Sequence, residues 1–204
     1  MTKNTKSHTK DYLLEYKAKK DTPKWLALLI QKVIDTNAKI SDDEKKILFQ
    51  ELLKENEIDV KQEAEKIKNW LKSRDRGFYG IEYSLRYGNK ESKTRKYTHP
   101  TFNPDFFIKI KKDDIEYFLV VEIKADKDDC DDNKAKYKYA KEHFERLNEK
   151  LKEQGIKQEY IFHFLSPNGY TTFFEYLKDE RILKGQSKFR CELENLLEEN
   201  GDDE

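Results

Sequence analysis

The chain carries no net charge, and its 204 residues include only two cysteines, one methionine, seven glycines and four prolines. Lys and Arg number 41, as do Asp and Glu. A balanced total gives no support to a strong non-specific grip on nucleic acid by the whole chain, although a local basic groove stays open. Cys130 and Cys191 stand far apart without a CxxC spacing. That points away from a zinc site or disulfide framework and toward two reduced thiols. No apolar run approaches the roughly 20 residues that span a bilayer. The N-terminus MTKNTKSHTKD is positive but has no apolar core behind it, so it does not read as a signal peptide. The expected setting is cytoplasmic, with no membrane partner. There is no long Gly/Ser/Pro linker, no internal repeat, no GxxxxGK[ST] of a nucleotide-driven motor and no Ser-His-Asp arrangement.

What the chain does have is charge and aromatic rings: 40% charged and 13% aromatic residues, with a mean hydropathy of −1.05. The rings argue against disorder, and the length suits one domain, or one domain with an added helical segment. The first seventy or so residues read as helices. "TPKWLALLIQKVI" offers Thr22 as N-cap and Pro23 at the first helical position. "SDDEKKILFQELLKE" opens on a capping box of Ser41 and Glu44, with Ile47, Leu48 and Leu52, joined by Phe49 and Leu53, on one apolar face. "VKQEAEKIKNWLKSRD" places Ala64, Ile67, Trp70 and Leu71 at helical spacing. The period then changes. "GFYGIEYSLRYGN" alternates as a first strand, "KESKTRKYTHP" is a polar connection, and "TFNPDFFIKIK" and "IEYFLVVEIKA" are strands. "DKDDCDDNK" is an acidic loop. The long helix that follows, "KAKYKYAKEHFERLNEKLKEQG", has Tyr137, Ala140, Phe144, Leu147 and Leu151 on its apolar side and Gly155 as its stop. "QEYIFHFLSP" is a strand, and two helical stretches close the chain. The order predicts an α/β (α+β mixed) fold, with a mixed sheet of about four strands flanked by helices and preceded by a helical N-terminal segment. The expected domains are residues 1–56, a docking or capping segment, and 57–204, the catalytic part.

Three residues do not fit a pair of greasy strands: Asp105, Glu122 and Lys124. If Asp113-Asp114 form a two-residue turn, residues whose numbers sum to 227 face each other, so Asp105 lies opposite Glu122. Side chains alternate along a strand, and a direct cross-strand neighbour shares its partner's face. Asp105, Glu122 and Lys124 are then expected on one patch, and a slip of one residue would scatter them. Two carboxylates brought together repel and desolvate badly. A divalent cation resolves both problems, and hard oxygen donors suit magnesium, with manganese as a substitute. Activated water, a neutralised phosphate and an adjacent ammonium suffice for phosphodiester hydrolysis.

The stretch resembles the PD-(D/E)XK nuclease superfamily, with the motif at Pro104-Asp105 and Glu122-Ile123-Lys124. The likeness runs from about Glu63 to Leu177. "IKNWLKSRDRGFYGIEY", "FNPDFFIKI", "YFLVVEIKAD" and "NKAKYKYA" look like the nuclease end of type III restriction subunits and related helicase-nuclease proteins. The resemblance implies a restriction-endonuclease-like core ordered helix, three strands, helix, strand. It implies magnesium held by Asp105, Glu122 and the Ile123 carbonyl, with Lys124 as the catalytic lysine. A Glu from the first core helix often joins the metal site in the family. Glu63 and Glu65 both stand where it would fall, and Glu82 is a weaker candidate. Asn133, Lys134 and Tyr137 occupy the helix that faces the site in relatives and would touch phosphate; their plainer reading is an N-cap, a solvated lysine and a core tyrosine.

Of the remaining polar residues, Lys90, Lys93, Arg95 and Lys96, with Tyr97, offer an electrostatic landing for phosphate or simply a charged loop. His99, His143 and His163 are scattered and read as structural. Asp126, Asp128, Asp129, Asp131 and Asp132 are expected to stay solvated at a rim. The expected function is a magnesium-dependent DNA nuclease, cutting as the nuclease module of a restriction or phage-defence system. It would work with a helicase or ATPase partner, or as part of one, and a two-fold homodimer would account for double-strand cutting. The rival is an inactive member of the fold that binds nucleic acid or protein.

Overall fold

The computed structural model describes residues 13–19, 22–35, 39–62, 67–73, 79–87, 96–183 and 189–199; at 55–62, 67–69, 86–87, 96–98 and 199 it describes backbone alone. Its helices are α1 (13–18), α2 (Lys24–Ile34), α3 (Asp42–Gln62), α4 (Asp131–Glu153), α5 (Tyr170–Lys178) and α6 (Glu192–Glu199). Its strands are β1 (Ile67–Lys72), β2 (Ile81–Glu82), β3 (Leu85–Tyr87), β4 (Lys96–Thr98), β5 (Thr101–Phe102), β6 (Phe106–Lys112), β7 (Ile115–Ile123) and β8 (Gln158–Leu165). The chain is mixed α/β. Its main sheet has four strands in the order β1-β6-β7-β8, and two small ladders pair β2 with β5 and β3 with β4. Two compact units divide it: Met1–Lys66 with Ile123–Lys127 and Phe164–Asn195, and Ile67–Glu122 with Asp128–His163 and Leu196–Glu204.

In the second of these, the sheet unit, β1 runs antiparallel to β6 and β6 antiparallel to β7. The β7–β8 pair is parallel: Glu116 N–H donates to Lys157 O, and the same offset of 41 recurs where Lys124 N–H donates to Leu165 O. A parallel pair needs a long crossover, which α4 supplies. Phe106, Ile108 and Ile110 alternate inward on β6, and their register partners Val121, Leu119 and Tyr117 are buried with them. On the opposite face α4 brings Phe144, whose ring stacks on Tyr160 and Phe162 at 5.9 and 5.7 Å. Leu119 through Ile123 are therefore buried without alternation, as a strand covered on both faces requires. Gly155, at φ 69°, ends α4 as expected.

In the helical unit, the capping box forms as read. Glu44 N–H donates to Ser41 Oγ at 3.2 Å and Ser41 N–H donates to Glu44 Oε2 at 3.0 Å. Ser41→Ala is expected to cost about 1 kcal/mol, read as a fall in the urea midpoint. Leu48, Phe49, Leu52 and Leu53 form the buried face of α3, whereas Ile47 is 38% exposed. The apolar stripe is therefore rotated away from Ile47. Thr22 does not cap α2. Its hydroxyl donates to Tyr16 O at 2.8 Å, and Pro23 is the N-cap with no side-chain bond.

The larger correction lies at residues 60–75. The helix expected there stops at Gln62, and Ile67–Lys72 is a strand at the sheet edge, with Trp70 opposite Ile108 and Leu71 opposite Phe107. Pairing with β6 outweighs a helical spacing carried by only a few residues. The first core strand is thus β1 and not 77–89, whose strand is broken into β2 and β3. Nor is the polar connection wholly a loop, because Lys96–Thr98 pairs with β3.

Candidate functional site

Turn chemistry builds the hairpin that carries the carboxylates. Asp113 adopts φ 53°, a left-handed conformation that Asp tolerates better than most residues. Lys112 then pairs with Ile115 and Phe106 with Val121, so paired numbers sum to 227 throughout. Carried one step further, this register would set Asp105 opposite Glu122. The neighbouring ladder reaches the same point, since Ser73 N–H donates to Asp105 O at 2.8 Å. Asp105 is 9% exposed and Glu122 is 6%. Residues directly opposite in an antiparallel pair have Cα atoms about 4.5–5.5 Å apart. The backbone of Asp105, a bend residue just before β6, is thereby brought to the same end of the hairpin as Glu122, which shares a face of β7 with Phe118 and Val120.

Lys124 and Ile123 belong to the helical unit. Ile123 is buried. Lys124 is half-buried, and its ammonium lies 5.8 Å from the centroid of the Phe164 ring. Asp42, the first residue of α3, is its acidic neighbour in that unit. The Lys45 ammonium, 2.7 Å away, holds the Asp42 carboxyl below its usual range against partial burial, and the charges of Lys124 and Lys46 act in the same direction. Nothing in the spacing of the sequence singles out Asp42.

The other expected residues are distributed as follows. Asn133 is buried in the first turn of α4, where Nδ2 donates to Asp128 O at 3.0 Å; the N-cap is Cys130. Lys134 is half-buried, 4.0 Å from Asp131. Tyr137 is a core residue whose hydroxyl donates to Glu198 Oε1 at 3.2 Å. Glu82 is exposed and pairs with Thr101 in the β2–β5 ladder. Glu63, Glu65, Lys90, Lys93 and Arg95 lie outside the described residues, as does the side chain of Lys96. The acidic loop is not wholly solvated. Asp126 accepts from Asn168 N–H at 3.2 Å, and Asp132 accepts from the Tyr83 hydroxyl at 2.7 Å and pairs with Lys136 at 2.5 Å.

Neither a family model, nor a curated protein, nor a solved structure matches this chain.

Among the described residues no group of three or more His, Cys, Asp and Glu side chains could hold a metal ion. A pair remains, and its chemistry suits a hard cation that keeps several of its waters and takes one or two carboxylates.

His143 is held neutral by its surroundings. Burial and then the Arg146 charge push its pKa down, and its Nε2 is hydrogen-bonded to the Tyr79 hydroxyl. The unfolded chain binds a proton at His143 more readily than the folded one. This contribution to stability is therefore full above the unfolded value near 6.5 and falls as the pH drops below it. His143→Gln is expected to flatten that acid-side loss, measured by urea unfolding at pH 7.5 and 5.5 on both proteins.

Proposed function

We propose that the chain is a magnesium-dependent nuclease of the PD-(D/E)XK type, hydrolysing DNA phosphodiester bonds as part of a restriction or phage-defence system with a motor partner. The observation that supports this reading is the hairpin register, which ends with Phe106 opposite Val121 and, carried one step further, would set the buried Asp105 and Glu122 opposite each other. The order of α3, the main-sheet strands β1, β6 and β7, α4 and β8 adds support: with the short strands β2–β5 inserted between β1 and β6, it is compatible with the helix, three strands, helix, strand of a restriction-endonuclease-like core.

Asp105 and Glu122, with the Ile123 carbonyl, would hold the cation. Bound there, magnesium supplies activation of water and neutralisation of phosphate charge. Lys124, two residues beyond Glu122, is assigned the ammonium that stabilises charge growing on the phosphate. Asp42 and Lys45 help to set the field in which Lys124 works. The test is incubation with plasmid and linear DNA in magnesium or manganese and then in EDTA. Cleavage that needs metal and is lost in Lys124→Ala supports the proposal, and its absence from the wild type under all conditions rejects it.

A second reading is favoured by one observation, the lack of a third metal-holding side chain among the described residues. On that reading the fold is kept for binding nucleic acid or protein without cutting. Binding that is unchanged by Asp105→Ala, with no metal-dependent cleavage, would select it.

A further inference from the structure

The carboxylate face of the sheet unit carries a second feature. A cavity of about 400 Å³ opens there, lined by Tyr79, Phe107, Phe118, Tyr160, Trp70 and Lys109 among others. Phe107 and Lys109 alternate onto one face of β6, with register partners Val120 and Phe118 on β7. Asp105 immediately precedes β6, and Glu122 alternates onto the same face of β7 as Phe118 and Val120. With a rise of about 3.4 Å per residue, Phe107 lies about 7 Å and Lys109 about 14 Å along the chain from Asp105. The Phe118 and Tyr160 rings stack at 4.7 Å and 11°, and Tyr160 stacks in turn on Phe144 at 5.9 Å and 11°. The Lys109 ammonium sits 5.6 Å from the Phe118 centroid and pairs with Glu116 at 2.6 Å, and Gln158 Nε2 donates to Glu116 at 3.0 Å.

We propose that this cavity receives one unstacked nucleobase of the strand whose phosphate would meet a cation held by Asp105 and Glu122; the inference rests on the nuclease reading and extends it to substrate class. Three properties argue for a base. The volume is at the small end of ligand pockets and suits a single planar ring system. The lining is mostly aromatic, with Leu71 and Leu147, and bases stack on aromatic side chains without sequence preference. Lys109, paired with Glu116, brings a charged group to that lining. Position makes the fourth argument, because the lining residue Phe118 shares a face of β7 with Glu122 and Asp105 immediately precedes β6, within the reach of adjacent nucleotides. In duplex DNA every base is paired and stacked, so the cavity can be filled only from a single strand or by extruding a base. The preferred substrate is accordingly a single-stranded, frayed or flap-bearing end.

Trp70 sits opposite Ile108 with its ring beside Phe106, so binding is read from labelled ligands. Titration of the full-length Lys124→Ala protein in magnesium uses a labelled single-stranded oligonucleotide, an abasic oligomer of the same length, a blunt duplex and a mononucleotide. The oligonucleotide is expected to bind saturably and about tenfold tighter than the abasic oligomer or the duplex. Phe107→Leu, which keeps most of the volume and removes the ring, should lose that preference. So should Leu71→Ala, at a lining residue that is 46% exposed, with urea unfolding of the variant as the control for folding. Equal binding of base-bearing and abasic strands overturns the proposal. A mononucleotide bound as tightly as the oligonucleotide also overturns it, in favour of a free-nucleotide site. Cleavage in magnesium is scored separately. Cleavage without base-dependent binding removes the cavity proposal alone, and base-dependent binding without cleavage removes the nuclease reading alone.

Discussion

Asp105→Asn is expected to lower metal-dependent cleavage by at least about 100-fold, the scale found when one preorganised electrostatic group is removed from an active site. The substitution keeps shape and volume, and it leaves the backbone carbonyl that accepts from Ser73 N–H. A folding defect is therefore not the expected cause of the loss. The decisive readout is thermal unfolding. If Asp105 and Glu122 hold a cation, magnesium at about 100 times its Kd adds about 2.7 kcal/mol to the wild type. It should add almost nothing to Asp105→Asn, because a single remaining carboxylate binds the ion weakly. Without the ion the variant should melt higher than the wild type, since two buried acidic groups no longer face each other. Lys124→Ala separates the roles: cleavage should fall on the same scale, yet the magnesium-dependent rise in melting should persist. A wild type whose melting ignores magnesium, or an Asp105→Asn that cuts normally, would leave the carboxylate pair without the role given to it.

The hairpin register on which that pair rests was legible from the sequence for a definite reason. A two-residue turn and the period of two in a strand fix a hairpin register with no further information, and the observed pairing of Phe106 with Val121 follows the same sum. The capping box at Ser41 and the stop at Gly155 were legible because they too are local. The misread segments depend on distant partners. Ile67, Trp70 and Leu71 fit a helical face as well as a strand, and only β6, some forty residues on, decides between them. The ladders of β2 with β5 and β3 with β4 contribute two and three residues a strand, too few to show any period. The proximity of Asp42 to Lys124 and the aromatic cavity are tertiary facts. The cavity draws its lining from β1, the segment before β2, the main hairpin, α4 and β8, and no spacing along the chain announces such a meeting.

The helical unit offers the second large effect. Phe49 on α3 is fully buried and meets three rings of α5: Tyr170 at 5.2 Å, Phe174 at 5.6 Å and Phe173 at 5.8 Å. The Tyr170 hydroxyl also donates to Lys45 O at 3.1 Å, so the two helices are joined by both rings and a buried hydrogen bond. Phe49→Ala removes the ring that touches all three others and leaves a cavity that a close-packed helix pair can only partly close. The expected cost is about 3–5 kcal/mol, a large share of the roughly 5–15 kcal/mol that holds a domain together. Phe49→Leu refills much of the space and should cost less. Trp25 belongs to this unit and Trp70 to the other. Urea titrations on Trp70→Phe and Trp25→Phe backgrounds therefore follow each unit by its own tryptophan. The Trp25 transition is expected to move to lower urea in Phe49→Ala. A shift worth less than about 1 kcal/mol would mean that Phe49 is not the keystone its burial implies, because no well-packed phenylalanine is deleted so cheaply. The same pair of reporters settles how far the loss spreads. A Trp70 transition that stays in place means the sheet, with Asp105 and Glu122, holds without α3; one that moves in step means the carboxylate pair depends on the packing of Phe49.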